Sequence, residues 1–415
     1  MNHFKKVNTF RVLIAILTFI LGWQLGQKQV DLKWQNYHPS VSVENKTPPE
    51  NIDIDFKLFW DTWDLLTRRY LDKKEIDPQK LFYGAISGMV AAVGDPYTVF
   101  LPPEQQKSSK EELGGSFDGV GIQLGFDKEK HLVVIAPLDG TPAERAGVQA
   151  GDLILKIGSE STLSMNLPEA VNLIRGPKGT EVSLTTLREG DQEPKEVKLT
   201  RETIVVKSVN LSIKQTESGK DIAVIKLSRF GERTESEWSE AVSDLLAKSP
   251  DGVILDVRNN PGGFLDGAVF IASEFLDSGD VVIQENNQKQ RFLYKVNREG
   301  KLLKLSLTVL INKGSASASE IVAGALQDRS RAKLVGEKSF GKGTIQEAED
   351  LPGGVGIHIT TARWLTPNGR WVNDTEGLEP DIKVEMSKSA DGTILEGLPA
   401  GRQDPQMDKA LEILN

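Results

Sequence analysis

Ser315-Ala316-Ser317-Ala318-Ser319-Glu320 follows an apolar run at 305–311 and a turn through Asn312-Lys313-Gly314. An apolar helical run, 321–326, comes next, and after one more strand the chain reads Ser339-Phe340-Gly341-Lys342-Gly343-Thr344-Ile345-Gln346. Hydroxyls set among alanines leave room for another chain to approach. Glycines on both sides of Lys342 let the backbone come close at no steric cost. These are the parts of a serine nucleophile served by a lysine base. Each also has a plain structural reading. Serine is a favoured helix N-cap, and a lysine between glycines commonly sits in a solvated loop.

Composition narrows the chemistry. The 415 residues carry a net charge of −9 with no basic stripe, which argues against nucleic-acid binding. Cysteine is absent, which removes disulfides, thiol nucleophiles and thiolate metal sites. The only histidines are His3, His38, His131 and His358. A Ser-His-Asp triad needs an imidazole beside the serine, and only His358 is on offer, with no local pattern behind it. A histidine-rich metal site is excluded on the same count, and no cofactor motif is present. A serine hydrolase built from this chain therefore needs another base, and lysine is the known substitute.

The elements that must position these groups run in order along the chain. Lys5, Lys6 and Arg11 precede the largely apolar stretch 12–25, the layout of an export signal. It is shorter than the ~20 residues of a comfortable spanning helix. Residues 1–26 are read as a signal anchor, or else a cleaved signal peptide, with the body of the protein outside the cytoplasm. Residues 27–50 read as a linker from the membrane. Residues 51–112 form an N-terminal helical region with an aromatic stripe, Phe56, Phe59, Trp60, Trp63 and Tyr70. The stripe is a core face, or a homodimer surface. Residues 115–200 form one β-rich module. Residues 201–385 are mixed α/β, and 386–415 are a polar tail with a short helix. In the mixed region a strand leads into Arg258-Asn259-Asn260-Pro261-Gly262-Gly263 and then a helix. Such a junction gathers unpaired N–H groups that favour a developing negative charge, although an ordinary strand-to-helix connection looks the same.

The 115–200 module resembles a PDZ domain. Gly119-Val120-Gly121-Ile122 matches the carboxylate-binding loop, and "AGVQAGDLILKIG" matches the central signature. PDZ domains take a peptide C-terminus as an added strand, here between 122–126 and the helix 167–174. Together with "DVRNNPGG", "GSASASEIVAGAL", "SFGKGTIQ" and "TPNGR…GLEPD", the chain resembles the carboxyl-terminal processing proteases over roughly residues 55–385, with no departure at the catalytic positions.

That resemblance implies a mixed α/β, crotonase-like protease core with an inserted PDZ domain and an N-terminal helical segment. It places the nucleophile on Ser317 and the base on Lys342. Gln346 orients the lysine from the same strand face, and the N–H groups of Gly263, with Gly262 as a candidate, and Ala318 form the oxyanion hole. Arg175 is the PDZ arginine that senses a bound tail. The partners are proteins with accessible C-terminal tails. A neutral Lys342 requires burial, expected against Phe340 and Ile345, with no carboxylate against it. The alternative function is a catalytically silent PDZ adaptor. A histidine-dependent protease of the trypsin type would need a β-barrel domain ahead of the PDZ, where this chain has only helices.

Overall fold

The computed structural model describes residues 30–35, 38–43, 54–127, 129–386 and 404–415. The expected signal segment, 1–26, lies outside the described residues. The chain divides into two compact units, Met1–Leu81 and Phe82–Asn415.

In the first unit, Val30–Gln35 pairs antiparallel with His38–Val43, where a linker was expected. The physical reason is the alternation of Val30, Leu32 and Trp34 with Asp31 and Lys33, a strand period of two. Phe59, Trp60 and Trp63 of the aromatic stripe lie on the helix Lys57–Arg69, Phe56 and Tyr70 are its two caps, and none of that helix is buried. Trp60 is 60% exposed, so the stripe is not a core face within the described chain. No helix of the described residues is long and apolar enough to cross a membrane.

The second unit is built on a six-stranded sheet. Its order is Val209–Gln215, Asp221–Leu227, Gly252–Asp256, Ser306–Ile311, Lys333–Gly336, Ile382–Lys383. The first pair is antiparallel and the rest parallel. The central strands are continuous apolar runs because both faces are covered. Helices Thr234–Ala247, Leu265–Ala272 and Ala318–Asp328 cover one face. The helix Pro405–Leu414 covers the other through Met407, Ala410 and Leu414, a helical i, i+3, i+7 stripe. Residues 404–415 are thus part of the core and not a tail. Arg258 locks them there, pairing with Asp256 at 2.7 Å and with Asp404 at 2.9 Å.

A second, antiparallel sheet packs alongside, ordered Arg291–Lys295, Asp280–Asn286, Val355–Leu365, Thr344–Leu351. Val99–Leu101 joins it by pairing with Val355–Leu365. The end of the region read as N-terminal helices is therefore also core, with Val90 and Phe100 packed on Val355.

The inserted module has its own sheet, ordered Lys195–Thr200, Glu181–Leu187, Leu153–Ile157, Leu132–Pro137, Ile122–Phe126, and its own apolar cluster. Its entry strand Ser116–Gly119 pairs antiparallel with its exit strand Glu202–Val205. That ladder explains how a complete domain can interrupt another without disturbing its core. The exit strand carries the module five residues past the boundary at 200.

Candidate active site

Three serines lie in the turn after the strand Ser306–Ile311, and their surroundings separate them. The Ser315 and Ser319 hydroxyls are fully buried and donate to the carbonyls of Val257 and Asn260, each at 2.8 Å. Ser317 is half-buried and takes the N-cap position of the helix Ala318–Asp328 with φ 55° and ψ −115°. A left-handed serine is strained, and such strain persists where the surroundings enforce it. Here the Gly262 turn packs directly against it. A Cβ on Gly262 would lie 2.8 Å from the Ser317 Cβ and 3.0 Å from the Ala318 nitrogen. Only glycine lets the two turns approach this closely.

Asn260 holds the two turns together. It is fully buried. Its side-chain amide donates to the Leu227 carbonyl and accepts from Gly262 N–H, while its carbonyl accepts from Ala316 N–H and the Ser319 hydroxyl. Gly262 N–H is therefore already taken, which removes it as an oxyanion donor. Among the described residues, Gly263 N–H and Ala318 N–H meet no acceptor. Gly263 is exposed with φ 136°, and its fixed approach to Phe230 leaves room for no side chain. Two free N–H groups beside one hydroxyl are what an oxyanion hole requires.

Lys342 arrives from the other side on a stapled loop. Trp364 and Trp371 donate their indole N–H groups to the carbonyls of Lys342 and Gly343, at 3.0 and 2.9 Å. A Cβ on Gly343 would lie 2.6 Å from the Trp371 indole nitrogen, and one on Gly341 would lie 2.8 Å from the Gly377 nitrogen. The flanking glycines thus admit the groups that clamp the lysine.

Glu320 joins the two halves. Its Oε2 accepts from Ser317 N–H and from Lys342 N–H, both at 2.9 Å. The two backbone nitrogens therefore lie within twice that distance of one another. Its Oε1 accepts from the Ser339 hydroxyl at 2.6 Å and Gly341 N–H at 2.7 Å. Burial pushes this carboxyl above its usual range, against those four donors.

The lysine's surroundings differ from expectation. Phe340 is 55% exposed. Tyr97 covers the lysine, with Lys342 Nζ 4.9 Å from its ring centroid. Burial pushes the Lys342 ammonium below the ordinary lysine range, although the carboxylates of Asp95 and Glu320 pull the other way. Among the described residues no carboxylate pairs with it directly. Asp95 is held ionised: burial raises its carboxyl, but hydrogen bonds from Thr360 and Thr98 outweigh that and keep it low. Burial, and then the Lys342 charge, hold His358 neutral.

The lysine precedes the strand Thr344–Leu351, so strand alternation does not relate Gln346 to it, and Gln346 lies opposite Thr360, its register partner on the neighbouring strand. The Gln346 amide nitrogen donates to the hydroxyls of Thr344 and Thr360, at 2.9 and 3.0 Å. It thereby reaches Asp95 through Thr360 rather than the lysine itself.

In the inserted module, Val120 is fully buried and Gly121 takes φ 76°, where a Cβ would lie 2.4 Å from Thr141. The strand Ile122–Phe126 is the sheet edge, and the helix Leu167–Ile174 packs beside it. Arg175 follows that helix, its Cγ close to Gly119. Its guanidinium lies over the Phe117 ring at 4.3 Å and donates to Glu111 at 3.2 Å.

Comparison with known proteins settles the family. The family model for Peptidase family S41 matches residues 221–384, that for the PDZ domain 133–188, and that for the Activating protease CtpB N-terminal domain 18–105. The Carboxyl-terminal-processing protease of Synechocystis sp. is 40% identical over 325 residues, covering 78% of this chain and 75% of that protein. The chain belongs to the carboxyl-terminal processing proteases of peptidase family S41. It is a serine-type peptidase. The Carboxy-terminal processing protease CtpA of Bacillus subtilis is 38% identical over 75% of this chain, which spans 66% of that relative's length. A solved S41 protease from Bacteroides fragilis shares the fold, with a TM-score of 0.56 over 89% of this chain and 99% of that one at 17% identity.

Several residues of this S41 site escaped the sequence reading. Glu320 had a signal, since Ser-x-x-Glu ahead of an apolar helix is a capping-box pattern. Asn260, Asp95 and Tyr97 had none beyond their turn chemistry, because their roles depend on which strands become neighbours.

Proposed function

We propose that this protein is an endopeptidase in which Ser317 attacks the scissile carbonyl and Lys342 takes the hydroxyl proton. Gly263 N–H and Ala318 N–H receive the developing oxyanion. The observation that carries the reading is the shared Glu320 oxygen, which holds nucleophile and base loop together beside two free N–H groups. A buried lysine that is neutral part of the time is a competent base near ambient pH. Asp95 and Thr360 with Gln346 set the electrostatics around it.

The substrate is a protein with an accessible C-terminal tail. The relatives' names point to carboxyl-terminal processing, and the loop Gly119, Val120, Gly121, Ile122 beside an open sheet edge suits a tail added as a strand. Arg175 is the sensor of that tail, held by Glu111 when the groove is empty. The reading also places the body of the protein outside the cytoplasm, anchored through residues 12–25, and pairs two copies through the Lys57–Arg69 stripe. No cofactor or metal takes part in it.

The test uses one unstructured-tail substrate with a free C-terminal carboxylate and the same substrate amidated. The wild type is expected to cleave the free tail about tenfold or more faster, the scale of a lost charge-assisted contact. Ser317→Ala is expected to bind both without product. Equal cleavage of the two tails sinks the tail-recognition half of the reading. Binding by the wild type without product over long incubation favours the adaptor.

The lysine's pH dependence offers a separate check. Asp95, Glu320, Tyr97 and His358 are the titratable groups around Lys342. Activity should rise with pH as Lys342 loses its proton, along a limb that ends below the ordinary lysine range. Asp95→Asn removes an anion that favours the ammonium, so the limb should move to lower pH. A limb that moves up, or does not move, contradicts this role for Asp95.

A further inference from the structure

Beside the Gly262–Gly263 turn lies a cavity of about 460 Å³ that the mechanism above does not use. It opens between the start of the helix Leu265–Ala272 and the strand that follows Lys342, so it flanks the position of a bound scissile bond. Its apolar floor is Phe264, Leu265 and Ile345, and Phe264 is 41% exposed. Its walls are acidic: Glu232, Glu235, Asp266 and Glu347 line it. Among the described residues, no lysine, arginine or histidine lines it. Among the described residues, none of the four carboxylates has a cationic partner. Glu347 accepts only from the Thr361 hydroxyl, at 3.1 Å.

Uncompensated carboxylates are usually dispersed over a protein surface. Four around one apolar-floored cavity raise the local potential for a cation, and low-dielectric walls focus it. An apolar floor alone would suit a leucine or phenylalanine side chain. Acidic walls alone would suit any cation. Both together fit a long side chain whose methylene stem lies on apolar surface while its charged head stays among carboxylates and water, as lysine and arginine do. We propose that this cavity is a substrate subsite that selects a lysine or arginine side chain at one position near the scissile bond. The proposal rests on the protease reading in one respect only, that substrate runs through this cleft.

The test separates the two. A peptide series carries a single lysine, norleucine or glutamate at each position around the cleavage site. Wild-type kcat/KM is measured for each, and binding of the same peptides to Ser317→Ala is followed by fluorescence anisotropy. At one position, lysine is expected to exceed glutamate about tenfold or more at low salt, in both measurements, because like charges placed together are strongly disfavoured. The ratio should shrink in about 0.5 M salt, where charges on the open cavity rim are screened. The double variant Glu235→Gln/Asp266→Asn, whose two sites are exposed, should lose most of the ratio while still cleaving the norleucine peptide. Cleavage without any charge preference overturns the subsite and leaves the protease reading standing. A lysine preference in binding without any cleavage supports the subsite and overturns the protease reading. Neither preference nor cleavage overturns both.

Discussion

Lys342→Ala is expected to lower kcat/KM for a tail substrate by about a thousandfold or more, the scale on which serine peptidases lose rate when nucleophile or base is removed. Ser317→Ala should lose a similar amount, and the double variant little more than either alone, because the two groups act in a single step. Lys342→Arg should not rescue, since guanidinium stays protonated at any working pH. Folding should be nearly untouched, because the loop is held by its backbone. Trp364, Trp371 and Glu320 grip the main chain of Lys342 and its neighbours, not the amine. Steady-state assays with a denaturation curve for each variant check this. If both single variants cleave at the wild-type rate, the dyad is wrong.

Glu320→Ala is expected to cost both stability and rate. The carboxylate is fully buried and meets the Ser339 hydroxyl and three backbone N–H groups. Its removal strands donors that cannot all reach water, at about 3 kcal/mol or more in total. The rate should fall about a hundredfold, because Ser317 and Lys342 lose their shared anchor and displacements near 1 Å carry losses of that size. Glu320→Gln should recover part of each, since its amide oxygen accepts on one side while its amide nitrogen opposes the donors on the other. Chemical denaturation and kcat/KM on the same samples decide the matter. A variant that is less stable but retains full rate would show that Glu320 braces the helix start and nothing more.

Much of this was legible from local pattern. Small residues and hydroxyls in 315–319, the glycines around Lys342 and the scarcity of histidine already pointed to a serine–lysine pair, because those features state what the chemistry tolerates. The PDZ-like order of loop, strands and helix was readable for the same reason: turn residues and apolar periods are local properties. The main sheet's parallel strands could be read as apolar runs, but their order could not. The strand pair 30–35 and 38–43 shows alternation that a linker reading overlooked. The Pro405–Leu414 helix shows an apolar stripe that a tail reading overlooked.

The sequence by itself determined the kinds of groups available: one small-residue serine turn, one glycine-bracketed lysine, no thiol and no suitably placed imidazole. It also determined the local shapes that could present them. Tertiary structure alone decided which of three serines is left without an internal task, since Ser315 and Ser319 find their acceptors on Val257 and Asn260, far away along the chain. It alone showed that Gly262 N–H is occupied while Gly263 N–H is free, that Tyr97 covers the lysine, and that strand pairing sets Gln346 against Thr360. The reason is physical. Conformational preference is set by near neighbours in the chain, whereas burial, electrostatic environment and hydrogen-bond satisfaction are set by whatever the packed strands bring alongside.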